Sequence, residues 1–291
     1  MLPPFPKYRP VLLAISTALC LGALAQQTGL LQRFSLQADS MNQWRLPDRL
    51  NEISGLALTP DGRLMAVNDE VAIVYELDYD DGRIVKAFAF GKPVLKGDFE
   101  GIAIVDDLVY LTTSTGRVYF AAEGADGQRV TFDNYDTALG QDCEIEGLTQ
   151  SNDNTRLYFL CKNIRKNSGL KRLALFAWDV EKRELLVDES VELPEREIMK
   201  QLRVDRLNPT GITIDRQSGN RIIVASRQRA LIELTEEGDL VSARNMPLTN
   251  RHRQAEGIEL TSDGRLLIAD EGGTHKARLA VYSQRESDGK D

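Results

Sequence analysis

Asp98-Phe99-Glu100-Gly101-Ile102 is one of five versions of a single short phrase. The others are Glu52-Ile53-Ser54-Gly55-Leu56, Glu144-Ile145-Glu146-Gly147-Leu148, Asn208-Pro209-Thr210-Gly211-Ile212 and Gln254-Ala255-Glu256-Gly257-Ile258. Their glycines stand 46, 46, 64 and 46 residues apart. A repeat of roughly 40 to 50 residues built of short strands is the period of a β-propeller blade. The chain therefore reads as all-β, a single β-propeller.

Working outward from each phrase, a turn such as Pro60-Asp61-Gly62, Asn152-Asp153-Asn154, Ser218-Gly219-Asn220 or Ser262-Asp263-Gly264 leads into a second apolar strand. Third strands are expected at Ala72 to Leu77, Arg117 to Ala121, Leu173 to Val180, Ala230 to Leu234 and Ala277 to Tyr282. Fourth strands are expected at Ile84 to Phe90, Val130 to Asp133, Leu185 to Val191 and Leu240 to Asn245. The fifth repeat stops after its third strand. The segment from Ser40 to Leu46 can supply the missing one, so that both ends of the propeller share a blade and no sheet edge stays open. Five blades result, with a degenerate sixth inside the long third repeat as the alternative. That interval also holds a loop at 163–171 and a helix from Glu195 to Val204. The helix is expected at the channel mouth, as a functional element or as a passive cover.

The chain divides into 1–25, a 26–39 linker, the propeller at 40–284 and a polar tail at 285–291. Lys7 and Arg9 precede an apolar run from Val11 to Ala25, followed by Gln26-Gln27. This pattern suits a secretory signal cleaved after Ala23-Leu24-Ala25, or a retained hydrophobic helix tethering the chain to the inner membrane. The run falls short of the about 20 residues that span a bilayer comfortably. Leu19 before Cys20 argues against lipidation. Either way the globular part is expected in the periplasm. There Cys143 and Cys161, brought near each other by a hairpin turning at Asp153, form a disulfide or remain two buried thiols. A net charge of -8 excludes a nucleic-acid surface, which needs clustered Lys and Arg. A monomer is expected.

In a propeller the first strand of each blade lines the axis, so residues at one repeat position converge there. One place before the glycine stand Ser54, Glu100, Glu146, Thr210 and Glu256; three places before stand Glu52, Asp98, Glu144, Asn208 and Gln254. Side chains two apart on a strand share a face, and carboxylates crowded together repel. A cation is therefore expected. Calcium fits, as a hard ion that takes carboxylate and amide oxygens, at a mouth that collects Glu52, Asp98, Glu100, Glu144, Glu146, Asn208 and Glu256. The second strands return to the same mouth and bring Asp69, Lys162, Arg227 and Asp270 as ligand-binding candidates. Lys162 and Arg227 could instead neutralise the ring with no metal. His252 and His275 read as a general base or metal ligand, or as exposed loop residues. No nucleophile elbow, P-loop, zinc spacing or dinucleotide fingerprint occurs.

Four segments carry a resemblance: Glu52-Ile53-Ser54-Gly55-Leu56, Val67-Asn68-Asp69-Glu70, Val74-Tyr75-Glu76-Leu77-Asp78 and Asp98-Phe99-Glu100-Gly101-Ile102-Ala103. Together they resemble the SdiA-regulated family of bacterial extracytoplasmic β-propellers, over approximately Trp44 to Tyr282. Gluconolactonase and phytase-like esterase propellers share Glu-Gly strands and acidic mouths. The resemblance implies a calcium site in the central channel, carried by position to Glu100, Glu146 and Glu256 with Glu52 and Asn208 in support. The chain departs from the pattern at Ser54 and Thr210. The leading reading is a propeller that binds a divalent cation in its channel, with a small-molecule or protein ligand beside it. The alternatives are a metal-dependent hydrolase of a lactone or phosphoester and a metal-free protein-interaction scaffold.

Overall fold

The computed structural model describes residues 29–247 and 251–285. The expected N-terminal hydrophobic helix and most of the polar tail lie outside the described residues. Strand β1 (Met41–Arg45) comes first in the chain but belongs to the last blade. The first blade follows as β2 (Ile53–Leu58), β3 (Leu64–Asn68), β4 (Ile73–Leu77) and β5 (Ile84–Phe90). The second has β6 (Phe99–Val105), β7 (Leu108–Thr113) and β8 (Arg117–Ala122). Then come a short β9 (Arg129–Val130) and the outer strand β10 (Asp133–Asp136). The third is β11 (Cys143–Gln150), β12 (Arg156–Ile164), β13 (Ala174–Asp179) and β14 (Glu184–Glu192). Helix α1 (Glu195–Leu202) leads to the fourth, β15 (Gly211–Ile214), β16 (Arg221–Ala225), β17 (Ala230–Leu234) and β18 (Leu240–Asn245). The fifth is β19 (Ala255–Leu260), β20 (Leu266–Asp270) and β21 (Arg278–Tyr282), completed by β1. Five sheets leave no sixth blade among the described residues.

The repeated glycine has a packing cause. A Cβ on Gly101 would lie 2.6 Å from the Leu148 backbone N, and one on Gly211 would lie 2.2 Å from the Glu256 carbonyl oxygen. One on Gly257 would lie 2.7 Å from Leu56 Cγ, which carries the ring from the fifth blade back to the first. These three glycines press against the inner strand of another blade at a distance no side chain permits, and Gly55 and Gly147 approach theirs closely as well, at 3.2 Å. The middle strands β3, β16, β17 and β20 are buried along their whole length, because sheets cover both of their faces.

The ring closes as expected. β1 pairs antiparallel with β21 from Met41 opposite Tyr282 to Arg45 opposite Arg278. Three placements differ from the sequence reading. Arg129–Val130 pairs parallel with β5 of the first blade, and the outer strand of the second blade is displaced to Asp133–Asp136. Phe132 between them stacks on Phe90 and meets Tyr119 edge-on, tying the two blades together. Helix α1 buries Ile198 and Leu202 and packs against β18, an outer strand, so it sits on the rim. The supposed linker is part of the body. Leu31 and Phe34 are fully buried against Ile222, Leu231 and Ile258. The backbone N–H groups of Leu30 and Leu31 donate to the buried Glu233 carboxylate at 2.8 and 3.0 Å.

Candidate functional site at the channel mouth

In four blades the pairing of the first two strands slips at the repeated phrase. Ile53 faces Asn68 and Gly55 faces Val67, which leaves Ser54 unpaired. Glu100 and Glu256 are skipped in the same way, and β11 is irregular between Ile145 and Leu148. A bulge frees a side chain from strict alternation and re-aims it. In three blades the freed or irregular position carries glutamate. At the other two, Ser54 donates to the Phe99 carbonyl at 2.6 Å and Thr210 to the Ala255 carbonyl at 2.7 Å. The two departures from glutamate are therefore stitches to the residue just before Glu100 and just before Glu256.

Glu100, Glu146 and Glu256 act on one another electrostatically, as the axial reading requires. Burial, followed by the neighbouring charges of Glu146, Asp98 and Glu256, pushes Glu100 up to about 10. Glu146 is only 4% exposed. Burial raises it to about 7 against the pull of Lys162, whose Nζ lies 2.5 Å from Glu146 Oε1. Burial raises Glu256 as well, with Gln254 and Lys162 opposing. Burial alone would lower Lys162, yet Glu146, Glu256 and Glu100 carry it upward. At neutral pH the cluster thus keeps a charged lysine and a protonated Glu100, with Glu146 near its midpoint.

A second tier surrounds this one, pairing the residue three before each glycine with the end of the second strand. Asp98 accepts from the Ser114 hydroxyl, and Glu144 accepts from Asn163 at 2.9 Å. The Asn208 backbone N–H donates to Gln228 Oε1 at 3.1 Å. Gln254 donates to Glu271 and to Glu256. In the first blade the pair is Glu52 with Asp69. Asp69 is raised to about 6, by burial and then by Glu52, and its Oδ1 is buried with no hydrogen-bond partner. Glu271 is pushed up to about 8 by burial, by its hydrogen bond with Glu52 and by Glu256.

The mouth therefore brings together Glu52, Asp69, Glu100, Glu146, Glu256 and Lys162. Asn208 is drawn into its pair with Gln228 and is 5% exposed. Arg227 lies exposed on the turn after β16, and among the described residues no carboxylate of the ring pairs with it; the cation that pairs with the cluster is Lys162. Asp270 and His252 are corrections. His252 is 1% exposed, with Nδ1 2.7 Å from Asp270 Oδ2 and Nε2 2.7 Å from the Tyr282 hydroxyl. Asp270 ends β20 facing into the blade, and it is the next residue, Glu271, that reaches the ring. Alternation along a strand end could have signalled that choice. The sulfurs of Cys143 and Cys161 are joined in a disulfide across β11 and β12.

Hard oxygens with an orphaned carboxylate atom are the donor chemistry of a calcium-type ion. Among the described residues, however, no three His, Cys, Asp or Glu side chains are gathered tightly enough to hold a metal. Lysine, glutamine and protons satisfy the ring instead. No described helix is long and apolar enough to cross a membrane.

A family model described as SdiA-regulated matches residues 27–272. No curated protein matches the sequence. Among solved structures, glutaminyl cyclase from Myxococcus xanthus is similar at 13% identity and a TM-score of 0.53, covering 84% of this chain and 96% of that one. A luciferin-regenerating enzyme is similar at 10% identity and a TM-score of 0.50, covering 84% and 95%. At these identities the likeness is one of fold.

Proposed function

The chain belongs to the SdiA-regulated family, and from that premise we propose that it is an extracytoplasmic binding protein whose channel mouth takes a divalent cation, calcium foremost, with a ligand beside it. The observation that carries the reading is the convergence of Glu52, Asp69, Glu100, Glu146, Glu256 and Glu271 around one lysine, with burial lifting five of the six carboxyls. Glu100, Glu146 and Glu256 would hold the cation, with Glu52 and Asn208 in support. Their protons and the Lys162 contact are what a cation would displace. Binding would therefore release protons and tighten as pH rises. The Cys143–Cys161 disulfide supports an oxidising compartment.

The test is the melting temperature of the purified protein after chelation and again with calcium. An upward shift by mass action is expected, and it should disappear when Glu100, Glu146 and Glu256 are changed together to Gln. No shift with calcium, magnesium or manganese would sink the reading.

One observation favours a second reading, hydrolysis of a lactone or phosphoester. Glu146, raised to about 7 beside Lys162, has the affinity for protons that suits a general base. A bound cation would supply Lewis-acid polarisation of the scissile group. Glu146 would accept a proton from water, and Lys162 would stabilise the carboxylate. Once a lactone or phosphoester is found to turn over, Glu146→Gln should lower kcat by about 100-fold or more; unchanged turnover removes Glu146 from the chemistry.

A further inference from the structure

At the end of the propeller opposite the carboxylates, a cleft of about 330 Å³ opens between the third and fourth blades. Its wall includes Arg156, Tyr158, Glu189, Arg221 and Glu236. Arg221 starts β16 and is 3% exposed, yet among the described residues it forms no salt bridge; the charge of Glu237 reaches it only through space. Nη1 donates to the Thr235 carbonyl at 3.1 Å, the guanidinium lies 5.0 Å from the centre of the Tyr158 ring, and Nε is buried with no acceptor. A buried guanidinium ordinarily has an anionic partner, because leaving its charge uncompensated is costly.

The neighbouring charges narrow the partner. Arg156 is already committed, with a forked contact to Glu189 at 2.8 and 3.1 Å and a further one to Asp179. Asp153, also in the wall, is tied into its turn by the Ser151 and Thr155 hydroxyls. That leaves Arg221 as the uncommitted cation and Glu236, exposed and without a partner among the described residues, as the uncommitted anion. A plain dianion would meet Arg221 but be repelled by Glu236 and Asp153. A molecule carrying a carboxylate and an ammonium group meets both.

We propose that this cleft binds a small zwitterion of the amino-acid type, its carboxylate on the Arg221 guanidinium and its ammonium toward Glu236. The site is separate from the channel mouth and does not depend on a cation there.

Titration calorimetry on the full chain, with L-alanine, acetate and inorganic phosphate as probes, tests it. L-alanine should bind saturably and more tightly than acetate or phosphate. Glu236→Gln, at an exposed turn where folding is not at risk, should weaken it roughly tenfold, the loss of one charge-assisted contact. Arg221→Lys, with its melting curve checked, should weaken it as much, because an ammonium lacks the guanidinium fork. Absence of L-alanine binding, phosphate or acetate binding at least as tightly, or an unchanged affinity in Glu236→Gln would each overturn the assignment.

Discussion

Lys162 faces one buried glutamate, Glu146, and two half-buried ones, Glu100 and Glu256, and that imbalance sets how the protein should respond to pH. In an unfolded chain carboxylates release their protons near pH 4. In the folded chain Asp69, Glu146 and Glu271 hold theirs up to about 6, 7 and 8, and Glu100 to about 10, all chiefly through burial. Between those limits the folded state binds more protons than the unfolded one, so stability is full below about pH 4 as far as these groups are concerned, and falls as pH rises through each folded value. In chelator, the urea midpoint should therefore be higher at pH 5 than at pH 8.5. A flat profile would mean that the ring is ionised and neutralised by other means. Calcium, if it binds, should restore more stability at pH 8.5 than at pH 5, since it replaces the missing protons.

Among the elements, the N-terminal arm departs furthest from its appearance in the sequence. A four-residue 3-10 helix, Leu30–Arg33, is held by Glu233 at its first amides and by Arg244, which donates to the carbonyls of Leu31 and Phe34. Glu233 also accepts from Asn220 at 2.7 Å, so the arm locks onto the fourth blade through a carboxylate that is entirely buried. Beginning the chain at residue 37 would remove Leu31 and Phe34, uncover Ile222, Leu231 and Ile258 that pack against them, and strip Glu233 of two donors. Burial of two such side chains contributes about 3–6 kcal/mol. The shortened protein is expected to melt markedly lower and to bind a hydrophobic dye, measured against the chain beginning at Gln26. Equal melting temperatures would show that the arm is a passenger. The disulfide works within a single element pair, closing an 18-residue separation across the β11–β12 hairpin.

At the scale of the molecule, closure turns five weak repeats into one body. No inner strand buries its glycine face alone; each does so against another blade, and β1 seals the last gap by pairing with β21. The five phrases, their spacing and the truncated fifth repeat are local patterns, and they sufficed for the propeller, the blade count, the N-terminal closing strand and the convergence of Glu100, Glu146 and Glu256. The hairpin placed Cys143 and Cys161 within reach of each other but left open whether they bond. What sequence could not carry was anything that depends on a partner far along the chain. The bulges that re-aim the glutamates arise from strand pairing. The stitches of Ser54 and Thr210 need the carbonyls of Phe99 and Ala255. His252 sits inside the last blade because Asp270 and Tyr282 close around it. Periodicity is a property of neighbours in sequence and fixes which face a strand presents. Burial and charge are properties of neighbours in space, and only the closed ring decided which carboxyls share protons, which cation answers them and which buried arginine was left without a salt bridge.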